Sequence, residues 1–408
     1  MKLFIITGDH RGSVFGIGTY IQELLFSLRK YQLNICVVHL FSEQTEMQIV
    51  EQEGVQNWYI PAPRIEYRAA DDGAIGNDYL KNVVYLFRAH IEDTDQIVFH
   101  LNYHYAGFAH QLHEAFHCKV IVVAHYSIWS FSIFDNIPYL HRIISDNLSD
   151  PLSNSVRSAW NAECACYAQA DRVVCLSAYM RNLLHAEAGL SAEKLIVIPN
   201  GLHDTNGRSV DKARLRQKWL MRPDERLLLF AGRIDDVKGV RYLIRAFKQI
   251  LRKHPESRLL LVGNGEFDTY LAEAREVAFR VSFTGLLDRE SLYELYHIAD
   301  VGIVPSLFEP FGYVPLEMMM HGLPVVATAT SGLNEVVDEN CGAKVPLSVS
   351  ADRVEIDTSL LAEKIIELLE HPAEAQRAGE YGRKRYLRNF SSASFGDKMM
   401  SFYQSLFE

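Results

Sequence analysis

The sequence has no run approaching the roughly 20 consecutive apolar residues that a helix needs to cross a bilayer. It also lacks an excess of positive charge: 41 Lys and Arg stand against 51 Asp and Glu, a formal net charge of −10. That balance excludes broad nucleic-acid binding, which needs basic surface to displace counterions from phosphates. It also argues against docking on an anionic membrane surface. Cysteine is scarce and scattered, six in all (Cys36, Cys118, Cys164, Cys166, Cys175 and Cys341). Only Cys164 and Cys166 lie close together, and a C-x-C lacks the paired spacing of a zinc site. These read as buried thiols in a reducing cytoplasm. There is no repeat with a period of 20–50 residues and no low-complexity tract, which excludes solenoids and linker-rich scaffolds.

What is present is 408 residues, 48% hydrophobic and 23% charged, a length and composition that suit two globular domains. The opening MKLFIITGDH is too short an apolar run for a signal peptide and reads as a first strand. Short apolar runs then alternate with amphipathic ones, the signature of β-α units around a parallel sheet. Strands are expected at 3–7, 34–40, 96–101, 120–124, 172–176 and 195–198, with helices at 19–31, 78–92 and 153–168. Pro199-Asn200-Gly201 makes a turn, and a polar linker follows from His203 to about Arg208. A second series has strands at 226–231, 258–262, 280–284, 301–305 and 324–327. Its helices fall at 240–253, 266–277, 289–297, 313–321 and 359–369, and a last helix spans 395–407. The expectation is an α/β protein of two doubly wound domains: 1–204 together with 390–408, and 205–389.

Open α/β sheets hold ligands beyond the carboxyl ends of their strands, so those loops carry the candidate chemistry. After the strand at 226–231 comes Gly232-Arg233-Ile234-Asp235-Asp236-Val237-Lys238-Gly239 and then a helix. Two cations at a helix N-terminus, whose dipole and unpaired N–H groups already favour anions, suit a diphosphate; a solvated strand-to-helix turn would carry such residues too. After the strand at 301–305 comes Glu309-Pro310-Phe311-Gly312, with Glu317 eight residues beyond Glu309 on the following helix. Glu317 is placed to hold a ribose diol and Glu309 a sugar, while Gly312 admits a ligand close to the backbone. Two acids favoured by a helix dipole are the plainer alternative. Gly263 in Gly263-Asn264-Gly265-Glu266 and Leu287 in Phe283-Thr284-Gly285-Leu286-Leu287 offer a backbone approach and a frame for a planar base. In the first half, Gly16-Ile17-Gly18 opens a helix, but no acid ends the strand at 34–40, as a dinucleotide site would require. His125 follows the strand at 120–124, and Tyr103, His104, Tyr105, Tyr126, Trp129 and Phe131 add aromatic surface that suits either sugar stacking or core.

Gly232-Arg233, Lys238-Gly239, Pro305-Ser306, Glu309-Pro310-Phe311-Gly312, Glu317 and His321-Gly322-Leu323-Pro324 occur in order, and over about 225–370 the chain resembles the family 4 retaining glycosyltransferases of the GT-B fold. The first half is similar more loosely, through Gly16-Ile17-Gly18, His125 and Pro199-Asn200-Gly201. The resemblance implies two Rossmann-like domains facing a central cleft, with the last helix crossing back to the first. It implies that Arg233 and Lys238 bind the donor diphosphate and neutralise the leaving group, and that Glu317 holds the ribose. Glu309, with backbone N–H groups around Phe311 and Gly312, would bind donor-sugar hydroxyls, and His125 would lie near the reacting centre. Gly16, Gly18, Gly263 and Leu287 complete the donor side, and Tyr126 and Trp129 the acceptor side. Glu335 matches an acidic position to which no role is given. Members of the group need no metal, and here Asp235-Asp236 is adjacent rather than a spaced Asp-x-Asp. Two departures concern the acceptor: His203 follows Pro-Asn-Gly-Leu where an Asp is usual, and Val14-Phe15 precedes Gly16 where a Gly-Gly pair is common.

The implied activity is transfer of a sugar from a UDP-sugar, or next a GDP-sugar, to a saccharide, lipid-linked glycan, small-molecule or peptide acceptor. No cofactor, nucleic acid or stable membrane insertion is involved, and the location is cytoplasmic. A sugar phosphorylase or nucleotide-sugar epimerase of the same architecture would turn over donor without a separate acceptor. A nicotinamide oxidoreductase needs the ribose acid that the first half lacks, and a non-catalytic scaffold would have no need of all four of Arg233, Lys238, Glu309 and Glu317.

Overall fold

The computed structural model describes residues 1–8, 16–63, 72–92, 96–146, 148–206 and 210–408. The chain forms two compact units. The first comprises Met1–Ile128, Asn154–His203 and Ser392–Glu408; the second comprises Trp129–Ser153 and Asp204–Ser391.

The first unit is built on β1 (Lys2–Gly8), β2 (Asn34–Ser42), β3 (Gln48–Gln52), β4 (Val55–Pro61), β5 (Ile97–Leu101), β6 (Cys118–Ala124), β7 (Arg172–Cys175) and β8 (Leu195–Val197). Their order is β3-β4-β2-β1-β5-β6-β7-β8, parallel throughout except for the β3-β4 pair. The inner strands are unbroken apolar runs because helices cover both faces, and β5 is buried at every residue. The hairpin β3-β4 is absent from the sequence expectation. Its outer strand reads Gln-Ile-Val-Glu-Gln and lies mostly exposed at the sheet edge, so it shows no buried run. Its two-residue turn, Glu53-Gly54, has positive φ at both residues (51° and 77°), the mirror-image turn that twists with a hairpin. Order changes direction between β1 and β5, so the loops after those strands diverge and leave a crevice. The last helix, Ser392–Ser405, belongs to this unit: Phe395 meets Tyr20 on helix Gly16–Leu28 with ring centroids 5.6 Å apart, and the Tyr403 hydroxyl lies 2.7 Å from Nδ1 of His100.

The second unit carries β9 (Arg226–Ala231), β10 (Ser257–Val262), β11 (Val281–Gly285), β12 (Val301–Val304), β13 (Val325–Thr328) and β14 (Gly342–Val345), all parallel in the order β11-β10-β9-β12-β13-β14. The helix Val240–Lys253 places Val240, Leu243, Ile244, Phe247 and Ile250 on one face, where they join Leu228, Leu259 and Ile303 of the sheet in the core. Direction changes between β9 and β12, so the loops that begin at Gly232 and Pro305 open at the same switch point. Helix Pro372–Asn389 escapes the sequence reading because its buried stripe is Ala375, Gly379, Gly382 and Tyr386, too small and polar to register as an apolar period.

The division of the chain differs from the expected one in one long stretch, and by one or two residues at the boundaries, where 204, 390 and 391 fall in the second unit. Their position in the sequence places residues 129–153 in the first domain, yet they pack with the second unit. Phe131 sets its ring edge-on to Phe308 at 5.1 Å, and Nδ2 of Asn136 donates to the Ser350 carbonyl at 3.0 Å. Among the described residues no helix is long and apolar enough to cross a membrane.

Candidate active site

The loop after β9 turns on its own carboxylate. Oδ1 of Asp235 accepts from the Lys238 N–H at 2.9 Å, and Oδ2 lies 3.0 Å from Nε of Arg233. This delivers Lys238 to the N-terminus of helix Val240–Lys253, which begins without a side-chain cap. Nζ of Lys238 then donates to Oε2 of Glu309 at 2.5 Å, joining two motifs 71 residues apart in sequence. Both side chains are largely shielded, 20% and 14% exposed. The two loops are stitched by Leu307 N–H donating to the Val237 carbonyl at 2.8 Å. They also touch backbone to backbone: a Cβ at Gly239 (φ +70°) would stand 1.8 Å from the Pro305 oxygen. Gly263 is used in the same way, with the Gly232 carbonyl oxygen 1.8 Å from where its Cβ would be. On the side where a Cβ would stand, Gly263 therefore faces protein backbone.

Phe311 is buried and packs on Phe390 with ring centroids 6.0 Å apart, so its side chain is core and what it offers a ligand is its backbone. Gly312 (φ +96°) precedes helix Tyr313–Met320, on which Glu317 is 9% exposed. The Tyr296 hydroxyl donates to Oε2 of Glu317 at 2.9 Å, and burial, with that carboxylate second, holds the phenol well above its ordinary pKa. Tyr296 was not singled out in the sequence, because a Tyr on the apolar face of helix Arg289–Ile298 looks like any core residue there. Leu287 is half-buried beside Leu286, which is 59% exposed, in the turn after β11. Glu335 lies on the short helix Leu333–Val336, where its backbone carbonyl accepts from Arg385 at 2.6 Å.

In the first unit His125 sits at the end of β6. The Asn102 amide is oriented by Nδ2 donating to the Ile6 carbonyl at 3.1 Å, which turns its oxygen toward Nε2 of His125 at 2.8 Å. Nε2 therefore carries the proton and Nδ1 is left as an acceptor. Burial, and after it His100 and His104, hold the pKa of His125 well below its ordinary value, so the ring is neutral at pH 7. Tyr126 faces the His104 ring at 6.0 Å, its phenol pushed up by burial and by the Glu163 carboxylate. Trp129, expected on the acceptor side, is fully buried and grouped with the second unit, so its indole offers no face to an acceptor. Gly16 is exposed, and among the described residues nothing lies within 4 Å of a would-be Cβ. Gly18 follows within the same helix, and Val14 and Phe15 lie outside the described residues. His203 is held by the buried Glu23, which accepts from its N–H at 2.8 Å and from Nδ1 at 2.7 Å. The Pro-Asn-Gly turn is thus tied to helix Gly16–Leu28.

The buried histidine behind this site gives stability a pH dependence. His100 is fully buried between Tyr20 and Tyr403, and burial takes its pKa down to about 3. Below its unfolded value of about 6.5 the unfolded chain takes up a proton that the folded ring refuses. Stability falls by about 1.4 kcal/mol per pH unit from about pH 6 to about pH 4 on this account. Urea midpoints measured at pH 7, 6 and 5 should fall less steeply in His100→Gln than in the wild type. Equal slopes would show that His100 does not titrate in this way.

Residues 211–385 match the glycosyl transferases group 1, and residues 14–205 match glycosyltransferase family 4. The chain belongs to the family 4 glycosyltransferases. An uncharacterized glycosyltransferase of Methanocaldococcus jannaschii is 38% identical over 152 residues, which are 36% of this family member and 39% of that protein. The chain spans 39% to 51% of the length of the first curated relatives that it matches. Among solved structures, the sucrose-phosphate synthase of Thermosynechococcus elongatus has a TM-score of 0.78 at 23% identity, covering 100% of this chain and 99% of that one. HepE of Anabaena, in complex with UDP and glucose, has a TM-score of 0.71 at 19% identity, covering 99% of this chain and 100% of that one. These likenesses show the GT-B fold, two Rossmann-like α/β domains, for this chain.

Proposed function

We propose that this chain moves a sugar from a nucleoside diphosphate, UDP first and GDP next, to an acceptor hydroxyl with retention at the anomeric carbon, and that it does so in the cytoplasm without a metal. The observation that carries the reading is the meeting of Lys238 and Glu309 at a helix N-terminus, with Arg233 on the same loop. Bound donor phosphates take Arg233 and Lys238 from their carboxylate partners, which frees Glu309 for sugar hydroxyls. The C1–O bond to the β-phosphate breaks while the acceptor oxygen bonds to C1 from the same face. The acceptor proton passes to a phosphate oxygen, and the nucleoside diphosphate leaves. Arg233, Lys238 and the helix N-terminus stabilise the charge that develops on it. Glu317, steadied by Tyr296, takes the ribose hydroxyls, and His125 and Tyr126 serve the acceptor side. The acceptor is a saccharide, a lipid-linked glycan, a small hydroxylated molecule or a peptide. HepE, of similar fold, was solved with UDP and glucose, which supports UDP as the first nucleotide to try.

The test is thermal stabilisation by UDP, GDP and their sugars, without added metal, on wild type and Glu317→Gln. At a hundred times its Kd a ligand adds about 2.7 kcal/mol to the folded state. Glutamine still accepts from Tyr296 but loses the charge for the ribose, so a shift by UDP or GDP species should shrink to that of a tenfold weaker ligand. If no species raises the melting temperature of the wild type, the donor reading fails.

A further inference from the structure

The segment Trp129–Ser153 enters the second unit from outside its run of sequence and ends on the loops of the donor site. Phe134 and Asp135 both hold left-handed backbone, with φ of 51° and 57°. Consecutive non-glycine residues there are strained and persist where their surroundings fix them. The fixing contacts are specific. Asp135 N–H donates to the Ser130 carbonyl at 2.9 Å, the Ser130 hydroxyl donates to Oδ1 at 3.0 Å, and the Ser331 hydroxyl donates to Oδ2 at 2.9 Å. Ser331 is itself left-handed, φ 41°. The residues beside it clasp the loop that carries Glu309: the Thr330 hydroxyl donates to the Leu307 carbonyl at 2.9 Å, and Leu333 N–H donates to the Glu309 carbonyl at 3.2 Å. Four residues before Asp135, Phe131 packs edge-on to Phe308 and lies under the Arg233 guanidinium, 5.9 Å from ring centroid to carbon.

We propose that Phe131 and Asp135 are positioning residues of the donor site, Phe131 aiming Arg233 at the diphosphate and Asp135 bracing, through Ser331, the loop that presents Glu309. The proposal rests on the donor reading above and adds to it a segment from the first half of the chain. Asp235 already pairs with Nε of Arg233, and the Phe131 ring face orients the same guanidinium without a second carboxylate, so its remaining N–H groups stay available to phosphate oxygens. The Asp135 carboxylate, with one oxygen on Ser130 and the other on Ser331, fixes a backbone two residues from the one that holds Glu309. Simple domain packing would need apolar contact alone; here the polar contacts end on the backbone that carries the site.

The experiment is calorimetric titration of UDP, UMP and UDP-glucose into wild type, Asp135→Ala, Asp135→Asn, Ser331→Ala and Phe131→Leu, with the ligand-free melting temperature of each. Asp135→Ala and Ser331→Ala should each weaken UDP-glucose about fivefold to tenfold, and the double variant no more than Asp135→Ala alone, because the contact between Ser331 and Asp135 is lost in all three. Asp135→Asn should bind within twofold of wild type, since its amide oxygen still accepts from Ser331. Phe131→Leu should lose preference for UDP over UMP, which lacks the β-phosphate. Affinities within twofold of wild type in Asp135→Ala and Ser331→Ala overturn the bracing role. Equal losses for UDP and UMP in Phe131→Leu, or losses in every variant that track a lowered melting temperature, mean general loosening and overturn the proposal, as does a failed rescue by Asn with the melting temperature unchanged. A wild type that binds none of the three ligands is the failure of the donor reading itself, and the proposal falls with it.

Discussion

Lys238→Ala lowers kcat about a hundredfold, a loss of about 3 kcal/mol, the size expected for one preorganised donor at a developing anion. The ammonium is neutralised by Glu309 at 2.5 Å and largely shielded, so on the proposed reaction it is aimed and partly desolvated in advance. On that reaction its interaction with the leaving diphosphate would strengthen as the bond to C1 breaks, which puts the expected effect in kcat more than in KM. Removing Lys238 also strands a carboxylate that is 14% exposed, and Lys238→Ala/Glu309→Ala separates that penalty from the lost cation. Stability should fall by about 1–3 kcal/mol, since the carboxylate left behind is largely shielded. Steady-state rates with UDP-glucose and a hydroxyl acceptor check this. Activity within threefold of wild type would remove Lys238 from the leaving-group role.

Gly239→Ala destabilises the protein by about 3 kcal/mol and takes donor binding with it. The methyl would stand 1.8 Å from the Pro305 carbonyl oxygen and 2.8 Å from its carbon, in a backbone conformation with φ +70°. Left-handed backbone costs a residue with a Cβ about 1–2 kcal/mol, and overpacking against atoms that cannot rotate away adds about 1–3 kcal/mol. The relief available is to part the loop of Lys238 from the loop of Glu309, which is why affinity and stability should fall together. Gly189→Ala is the control: its φ is +65°, but nothing lies within 4 Å of its would-be Cβ. It should show the backbone term alone. Guanidinium chloride midpoints for the two variants give the difference, and equal midpoints would show that the contact at Pro305 yields cheaply.

What could be read in the sequence follows what is local. The strand at 226–231 and the helix at 240–253 were bounded correctly because each signals its burial within its own residues. Order among strands is not local, so the 2.5 Å approach of Lys238 to Glu309 had to wait for β9 and β12 to be seen side by side. Burial by small residues is silent, as in Pro372–Asn389, and so is an exposed edge strand such as Gln48–Gln52. The turn Glu53-Gly54 hid as well, because Glu in place of Asn does not announce positive φ. Asp135 carried no motif at all: Phe134-Asp135-Asn136 looks like a polar break, and its partner Ser331 lies 196 residues away. His125 and Glu317 stood out by motif, while the Asn102 amide and Tyr296 hydroxyl that orient them did not.

The threading of the chain also constrains its birth. Helix Ser392–Ser405 completes the first unit, where Tyr403 reaches His100 and Ser392 N–H donates to the Leu202 carbonyl at 3.0 Å. Domains made first by the ribosome generally fold first. Here the opening 128 residues of the first unit leave the tunnel early yet must wait, with the face of helix Gly16–Leu28 that Phe395 covers still wet, until all of the second unit, Trp129–Ser153 and Asp204–Ser391, has emerged. During that interval translation holds a nascent polypeptide whose earliest part is the last to be finished.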